Sequence, residues 1–187
     1  VKLSLKFIRK KLDEVYDNIR MFNNYDDCIA TYGYTVSTDW DYTQQRPYKG
    51  DVIRDKRRIY IHFYYSIEKG ADDEQAFDKR IASLYKELLE DNTVESNKKA
   101  YEQFFEVKIT PKRGRQIAYK EDAIKEARKY FGYFALITSE TMDAFTALHL
   151  YRMKDVVENL KPIDFKGIFM RYFSLDDKLF IFYMKVS

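Results

Sequence analysis

The sequence predicts a mixed α/β fold. Three features point to it: apolar stripes at helical spacing, apolar–polar alternation in segments rich in Tyr, Ile and Thr, and Gly or Pro turn signals between the alternating segments. The chain has 187 residues, of which 45% are hydrophobic and 17% aromatic, and it holds only six Gly and three Pro. That supply of apolar side chains can build a core, which argues against disorder along the whole length. Folded as one unit, a chain of this size buries roughly 70% of its extended surface, enough for one large domain or two small ones.

From the N-terminus, Ile8, Leu12, Val15, Ile19 and Phe22 recur at spacings of four, three, four and three, a helical stripe. From Cys28 to Tyr42, Ile29, Tyr32, Tyr34, Val36, Trp40 and Tyr42 tend to alternate with Thr, Ser and Asp, which reads as a half-buried strand. Ile59 to Ile67, almost all β-branched or aromatic, reads as a second strand. Arg46-Pro47-Tyr48-Lys49-Gly50-Asp51 between them carries turn chemistry, with Pro fixing φ and Gly tolerating the reversal. Asp72 to Glu90 is a helix with Ala76, Phe77, Ile81, Leu84 and Leu88 on one side, and Glu90 to Lys99 is a polar link. Phe104 to Ile109 and Gln116 to Tyr119 are short strands around Pro111-Lys112-Arg113-Gly114, a hairpin tip. Lys120 to Tyr130 reads as a charged helix and Gly132 to Thr138 as a buried strand. Ser139 or Thr141 offers an N-cap, and Asp143 an acid in the first turn, for a helix from about Asp143 to Leu160 that stops at Pro162. From Pro162 onward no clear period emerges, and no element is assigned.

Composition excludes several classes of function. Neither Tyr130 to Ile137 nor Leu179 to Met184 approaches the roughly 20 apolar residues that span a bilayer. The start Val1-Lys2-Leu3-Ser4-Leu5-Lys6 lacks a secretory leader, and a single cysteine fits a reducing cytosol, so a cytoplasmic protein is expected. Cys28 reads as a small buried or half-buried residue. His62 and His149 lie far apart without ligand partners at zinc spacing, so His62 reads as a packed histidine, and Trp40 as core. The opening valine suggests that the chain continues upstream.

Net charge is only +3, from 33 basic and 30 acidic residues, but the basic residues cluster. Arg46 to Arg58 holds six of them against Asp51 and Asp55, and Lys108 to Lys120 holds Lys108, Lys112, Arg113, Arg115 and Lys120 with no acid. Lys56, Arg57 and Arg58 on one hairpin, and Lys112, Arg113 and Arg115 on the other, are candidate contacts to the phosphates of duplex DNA; ordinary surface charge is the competing reading. Tyr48, Tyr60 and Tyr119 suit stacking on bases or, more commonly in strands, cross-strand pairing.

On the Asp143–Leu160 helix, an advance of about 100° per residue places Tyr151 and Glu158 within about 20° of each other, with Lys154 about 60° to one side. Lys161 follows three residues after Glu158. A carboxylate flanked by Tyr and Lys suits metal-assisted phosphoryl chemistry, whereas a solvated face with a Lys154–Glu158 ion pair explains the same spacing.

Phe134-Ala135-Leu136-Ile137-Thr138-Ser139-Glu140, followed by Leu150-Tyr151-Arg152-Met153-Lys154-Asp155-Val156-Val157-Glu158, resembles the end of the catalytic core of DDE-type insertion-sequence transposases of the YREK-signature branch. Tyr151, Lys154 and Glu158 match the first three signature positions, with Lys in place of Arg at the second. At the fourth, Phe165 stands seven residues after Glu158, and Lys161 becomes the counterpart if about one helical turn has been lost. Arg46 to Gly50, Arg57 to Tyr60 and Thr110 to Gly114 extend the resemblance over most of Val1 to Lys161.

The resemblance implies a partial ribonuclease-H-like core, a mixed sheet with helices interrupted by a β-rich insertion. Residues 1–7 would be a core strand, 8–138 the insertion with its basic hairpins, 139–161 the third-acid helix and 162–187 a divergent tail. It implies that Glu158 would be the metal-binding third acid, with Tyr151, Lys154 and Lys161 beside it, and that the complete enzyme uses Mg2+ or Mn2+ to cut and join insertion-sequence ends in duplex DNA. The family's first two aspartates precede the region that this chain matches, so the chain is expected to be a fragment that does not cleave DNA alone. A non-catalytic DNA-binding protein, or a modulator that pairs with an intact transposase or a second copy, is the alternative.

Overall fold

The structure, a computed structural model, describes residues 4–45, 52–110, 114–157 and 181–186. The chain divides into two compact units, residues 1–67 with 133–186, and residues 68–132. The first unit holds α1 (Leu5–Ile19), β1 (Tyr25–Asp26), β2 (Thr31–Gln45) and β3 (Val52–Ser66). The second holds α2 (Ile67–Leu89, whose first residue belongs to the first unit), α3 (Lys98–Phe104), β4 (Phe105–Thr110), β5 (Gly114–Tyr119) and α4 (Glu121–Arg128). The chain then returns to the first unit as β6 (Tyr133–Thr138), α5 (Ala144–Val157) and β7 (Ile181–Lys185). The fold is mixed α/β with antiparallel sheets. The division falls at 67/68 and 132/133, so the β2–β3 hairpin belongs to the main sheet rather than to a unit running from residue 8 to 138.

Residues 5–7 are helical, not a core strand. Ser4 Oγ accepts a hydrogen bond from Phe7 N–H at 3.3 Å, which caps α1 and starts the stripe that buries Ile8, Leu12 and Ile19. The main sheet has the order β1-β2-β3-β6-β7, and every described pairing is antiparallel. β6 is an interior strand, flanked by β3 and β7, and all six of its residues are buried, which accounts for its unbroken apolar run.

The two faces of this sheet carry different helices. On one, Tyr25, Tyr32, Tyr65 and Tyr133 stand directly opposite one another on β1, β2, β3 and β6. Tyr16 of α1 packs 5.2 Å from Tyr133, and the Arg20 guanidinium lies 4.4 Å over the Tyr65 ring. On the other face, Tyr64, Phe134 and Leu136 form a core with Ala144, Ala147 and Leu148 of α5. Gly33 permits this approach: a Cβ there would lie 3.0 Å from Ala144 Cβ and 3.2 Å from the Phe145 ring. Arg9 closes the unit by donating from Nε and Nη2 to the Val186 carbonyl at 3.0 and 2.9 Å.

β2 and β3 are longer than their apolar segments. Their register runs from Thr31↔Ser66 to Gln45↔Val52, whereas β3 pairs with β6 only from Tyr60 to Tyr65. Residues 39–45 and 52–58 therefore form a two-stranded ribbon beyond the sheet. Trp40 lies in that ribbon opposite Arg57 and is half-buried, not core. Cys28 is exposed rather than buried, because it sits in a turn closed by its N–H donating to Asp26 Oδ1 at 3.0 Å.

In the second unit, Ile81, Leu84 and Leu88 of α2 pack with Tyr101 and Phe105. The expected polar link from Glu90 to Lys99 contains the first two residues of α3, a helix anchored by hydrogen bonds to Glu87 from Tyr101 Oη and from Asn97 Nδ2 (2.9 Å). These bonds hold the Glu87 carboxyl below its usual range, the Tyr101 hydroxyl contributing most. Among the described residues no helix is long and apolar enough to cross a membrane.

Candidate functional site

The residues of interest centre on the turn from β6 into α5. Asp143, rather than Ser139 or Thr141, caps the helix: its Oδ1 accepts from Phe145 N–H and Thr146 N–H, each at 2.9 Å, and its Oδ2 accepts from Thr146 Oγ1 at 2.5 Å. The Thr146 hydroxyl and the helix N–H groups hold the Asp143 carboxyl below the usual range.

Alternate residues of β3 meet this turn from one side. Thr141 Oγ1 donates to Tyr60 Oη at 2.6 Å, His62 Nε2 lies 2.9 Å from Thr138 Oγ1, and Tyr64 Oη donates to the Ala144 carbonyl at 2.5 Å. His62 is fully buried, as expected of a packed histidine, and its Nδ1 lies 2.9 Å from Thr35 Oγ1 on β2. Burial lowers its pKa to about 4, against a smaller opposing pull from Asp143. Burial also raises the Tyr64 phenol well above its ordinary value. The sequence signal for this arrangement was the spacing Tyr60, His62, Tyr64, three polar-tipped rings on one face of an apolar strand.

Of the residues named for catalysis, Tyr151 and Lys154 both lie on α5. Tyr151 is half-buried and stacks on Tyr183 of β7, with ring centroids 5.6 Å apart and planes at 16°. Glu158 and Lys161 lie outside the described residues. At the head of α5 the described carboxylate is Asp143, and both its oxygens serve the helix cap. Glu158, the residue that would hold a Mg2+ or Mn2+ ion, is among those outside the described residues. Elsewhere Asp26, Asp27 and Cys28 bring three ligand atoms within 4.8 Å of one another, at the turn before β2.

The basic clusters are modified by the register. Lys56, Arg57 and Arg58 are exposed on the ribbon, but Lys56 stands opposite Asp41, and Arg58 opposite Asp39 with Nε 3.7 Å from Oδ1. Those acids lie outside the Arg46–Arg58 window, so a sum along the sequence overstates the ribbon's positive charge. On β5, Arg115 pairs with Asp91, while Lys108 Nζ of β4 lies 3.1 Å from Glu106 Oε1. Lys112 and Arg113 lie outside the described residues. Of the three tyrosines considered for stacking, Tyr119 pairs across the strands with Phe105 and stacks 5.1 Å from Tyr85, Tyr60 bonds Thr141, and Tyr48 lies outside the described residues. No family model, curated protein or solved structure matches this chain.

Proposed function

We propose that this chain is part of a DDE-type insertion-sequence transposase with a ribonuclease-H-like core. Within it, α5 leads to the third acid Glu158, and the β2–β3 and β4–β5 hairpins contact duplex DNA. One observation supports the reading: of the resembling motif, Phe134 to Thr138 fall on a fully buried strand, β6, and Leu150 to Val157 on the helix that follows it. That order suits a catalytic carboxylate on a helix braced by a buried interior strand. In this reading Lys56, Arg57, Arg58, Lys112, Arg113 and Arg115 position the duplex through its phosphates, while Tyr151, Lys154 and Lys161 flank the acid. The reading also makes a structural demand, since a mixed sheet requires parallel neighbours and the described pairings are antiparallel.

The test is duplex binding by the 187-residue chain at a series of salt concentrations, followed by plasmid nicking with Mn2+. Affinity that falls linearly on a logarithmic salt axis, without nicking, is expected. Salt-independent or absent binding overturns the DNA reading. Metal-dependent nicking that vanishes in Glu158→Gln overturns the expectation that two further acids are required.

A second reading, pairing with an intact transposase or a second copy, is favoured by the edge of β2. Among the described residues, β1 covers that edge only at Thr31 and Tyr32. Co-purification with a full-length enzyme would support it.

A further inference from the structure

We infer that Tyr60, His62 and Tyr64 form a three-point clasp on β3 that positions the head of α5, with a neutral, Nε2-protonated His62 as its centre. The tautomer follows from proton counting. Thr138 Oγ1 donates its single proton to the Glu140 carbonyl at 2.9 Å, so toward His62 it accepts. Nε2 therefore carries the hydrogen. Nδ1 is then bare and accepts from Thr35 Oγ1. The result is a directed chain of hydrogen bonds, Thr35 to His62 to Thr138 to the Glu140 carbonyl, crossing β2, β3 and β6 and ending in the turn before α5.

The outer two residues complete the clasp. Tyr60 receives the Thr141 hydroxyl and Tyr64 donates to Ala144, so three residues on one face of a strand hold the turn at positions 138, 141 and 144. Hydrophobic packing by itself is non-directional, so apart from the close fit at Gly33 the apolar contacts of α5 do not fix its rotation and height on the sheet. Hydrogen bonds of fixed direction remove that freedom. The consequence for function rests on the proposed transposase reading: if α5 leads to the third acid, the clasp sets where that acid sits, and these three are positioning residues rather than catalytic ones.

A clasp centred on a buried neutral imidazole is sensitive to acid. The titratable groups facing His62 among the described residues are Asp143 at the head of α5, and Tyr60 and Tyr64 on its own strand; β2 contributes Thr35, and β6 contributes Leu136 and Thr138. Protonation would make Nδ1 a donor and force the Thr35 hydroxyl to turn around, beside a fully buried ring.

The test uses the whole 187-residue chain. Nitrogen-15 correlation spectra of the imidazole at neutral pH should show hydrogen on Nε2 and none on Nδ1; the opposite tautomer, or a cation, overturns the proposal. In His62→Phe, which keeps a ring and removes both polar atoms, amide exchange at Phe145, Thr146 and Ala147 should accelerate about tenfold or more. The amides of α2 and α3 should keep their wild-type rates. Uniform acceleration throughout the chain would mean a general loss of stability and overturns the positioning role. Thr138→Val supplies the same cut without touching the histidine, should His62→Phe fail to fold. His62→Gln, which restores a donor near Nε2, should recover part of the protection. After correction for intrinsic rates, wild-type protection at 145–147 should fall as pH drops toward 4, and His62→Gln should lack that step; an identical pH profile in the two proteins overturns the proposal. A chain that passes these tests and binds no DNA refutes the transposase reading and leaves the clasp standing. A chain that binds DNA and shows the wrong tautomer does the reverse.

Discussion

The β2–β3 hairpin is one continuous ladder with two fates. Near its base, Ile59, Ile61, His62, Phe63 and Tyr64 are buried, because β6 continues the sheet and α1 and α5 cover its faces. Farther out, Lys56, Arg57 and Arg58 stand exposed opposite Asp41, Trp40 and Asp39, where β3 has no described strand partner other than β2. Backbone pairing is the same along both halves, so the burial in one half comes from the layers around it. The covered half is a structural core, and the ribbon is an arm whose residues answer to whatever it touches.

This contrast can be broken by substitution. The largest effect is expected from Phe63→Ala, which should lower stability by about 3–5 kcal/mol in a denaturant titration, whereas Arg57→Ala should change it by no more than about 0.5 kcal/mol. Comparable losses from the two would erase the distinction.

Acid tests the covered half in a second way. His62 binds its proton in the unfolded chain with a pKa near 6.5 and in the fold at about 4, so the unfolded state takes up more protons between those values. Its contribution is complete above pH 6.5 and disappears as pH falls toward 4, a loss on the order of 3 kcal/mol that should be missing in His62→Gln. Next in size is Gly33→Ala, whose new Cβ presses on Ala144 and should cost about 1–3 kcal/mol, read as a lowered melting temperature.

The smallest stability effects belong to the ribbon, where the contrast sharpens into a statement about charge. Asp39→Asn with Asp41→Asn should shift stability by less than about 1 kcal/mol, because exposed ion pairs contribute little. If the ribbon meets phosphates, the same pair should tighten duplex binding. Neutralising Lys112, Arg113 and Arg115 should weaken binding to all sequences alike and shallow the salt slope by about 0.9 for each phosphate that the protein no longer neutralises. An unchanged slope would remove that tip from the interface.

How much of this was legible in the sequence differs from element to element. The stripe from Ile8 to Ile19 announced α1 because burial on one face imposes its own period, whereas Phe22, which continues the spacing, lies beyond the helix and is exposed. The cap of α5 was misread: Ser139, Thr141 and Asp143 are all competent caps, and the choice falls to whichever side chain meets the helix N–H groups. α3 was missed because seven residues with two leading lysines show no period until Tyr101 finds Glu87. β7 was missed because its strand character comes from pairing with β6 across a long stretch of chain. The candidate site was half legible. The helix bearing Tyr151 and Lys154 could be read, but not the acids facing Lys56 and Arg58, since register brings together what a window along the chain keeps apart. The Tyr60–His62–Tyr64 spacing was visible, while its partners at 138, 141 and 144 needed the fold.

The place of β6 beside β3 bears on the order in which the molecule forms. β3 is complete at Ser66, and its neighbour does not begin until Tyr133. At ribosomal speeds of about 5–20 residues per second, roughly 3–13 seconds separate the two during synthesis. Through that interval the hairpin waits with one side of its ladder open, while residues 68–132 emerge and can condense around contacts local to their own segment. The sheet closes late, and a nascent chain halted within residues 68–132 would present β3 as a vacant template for any strand that arrives first.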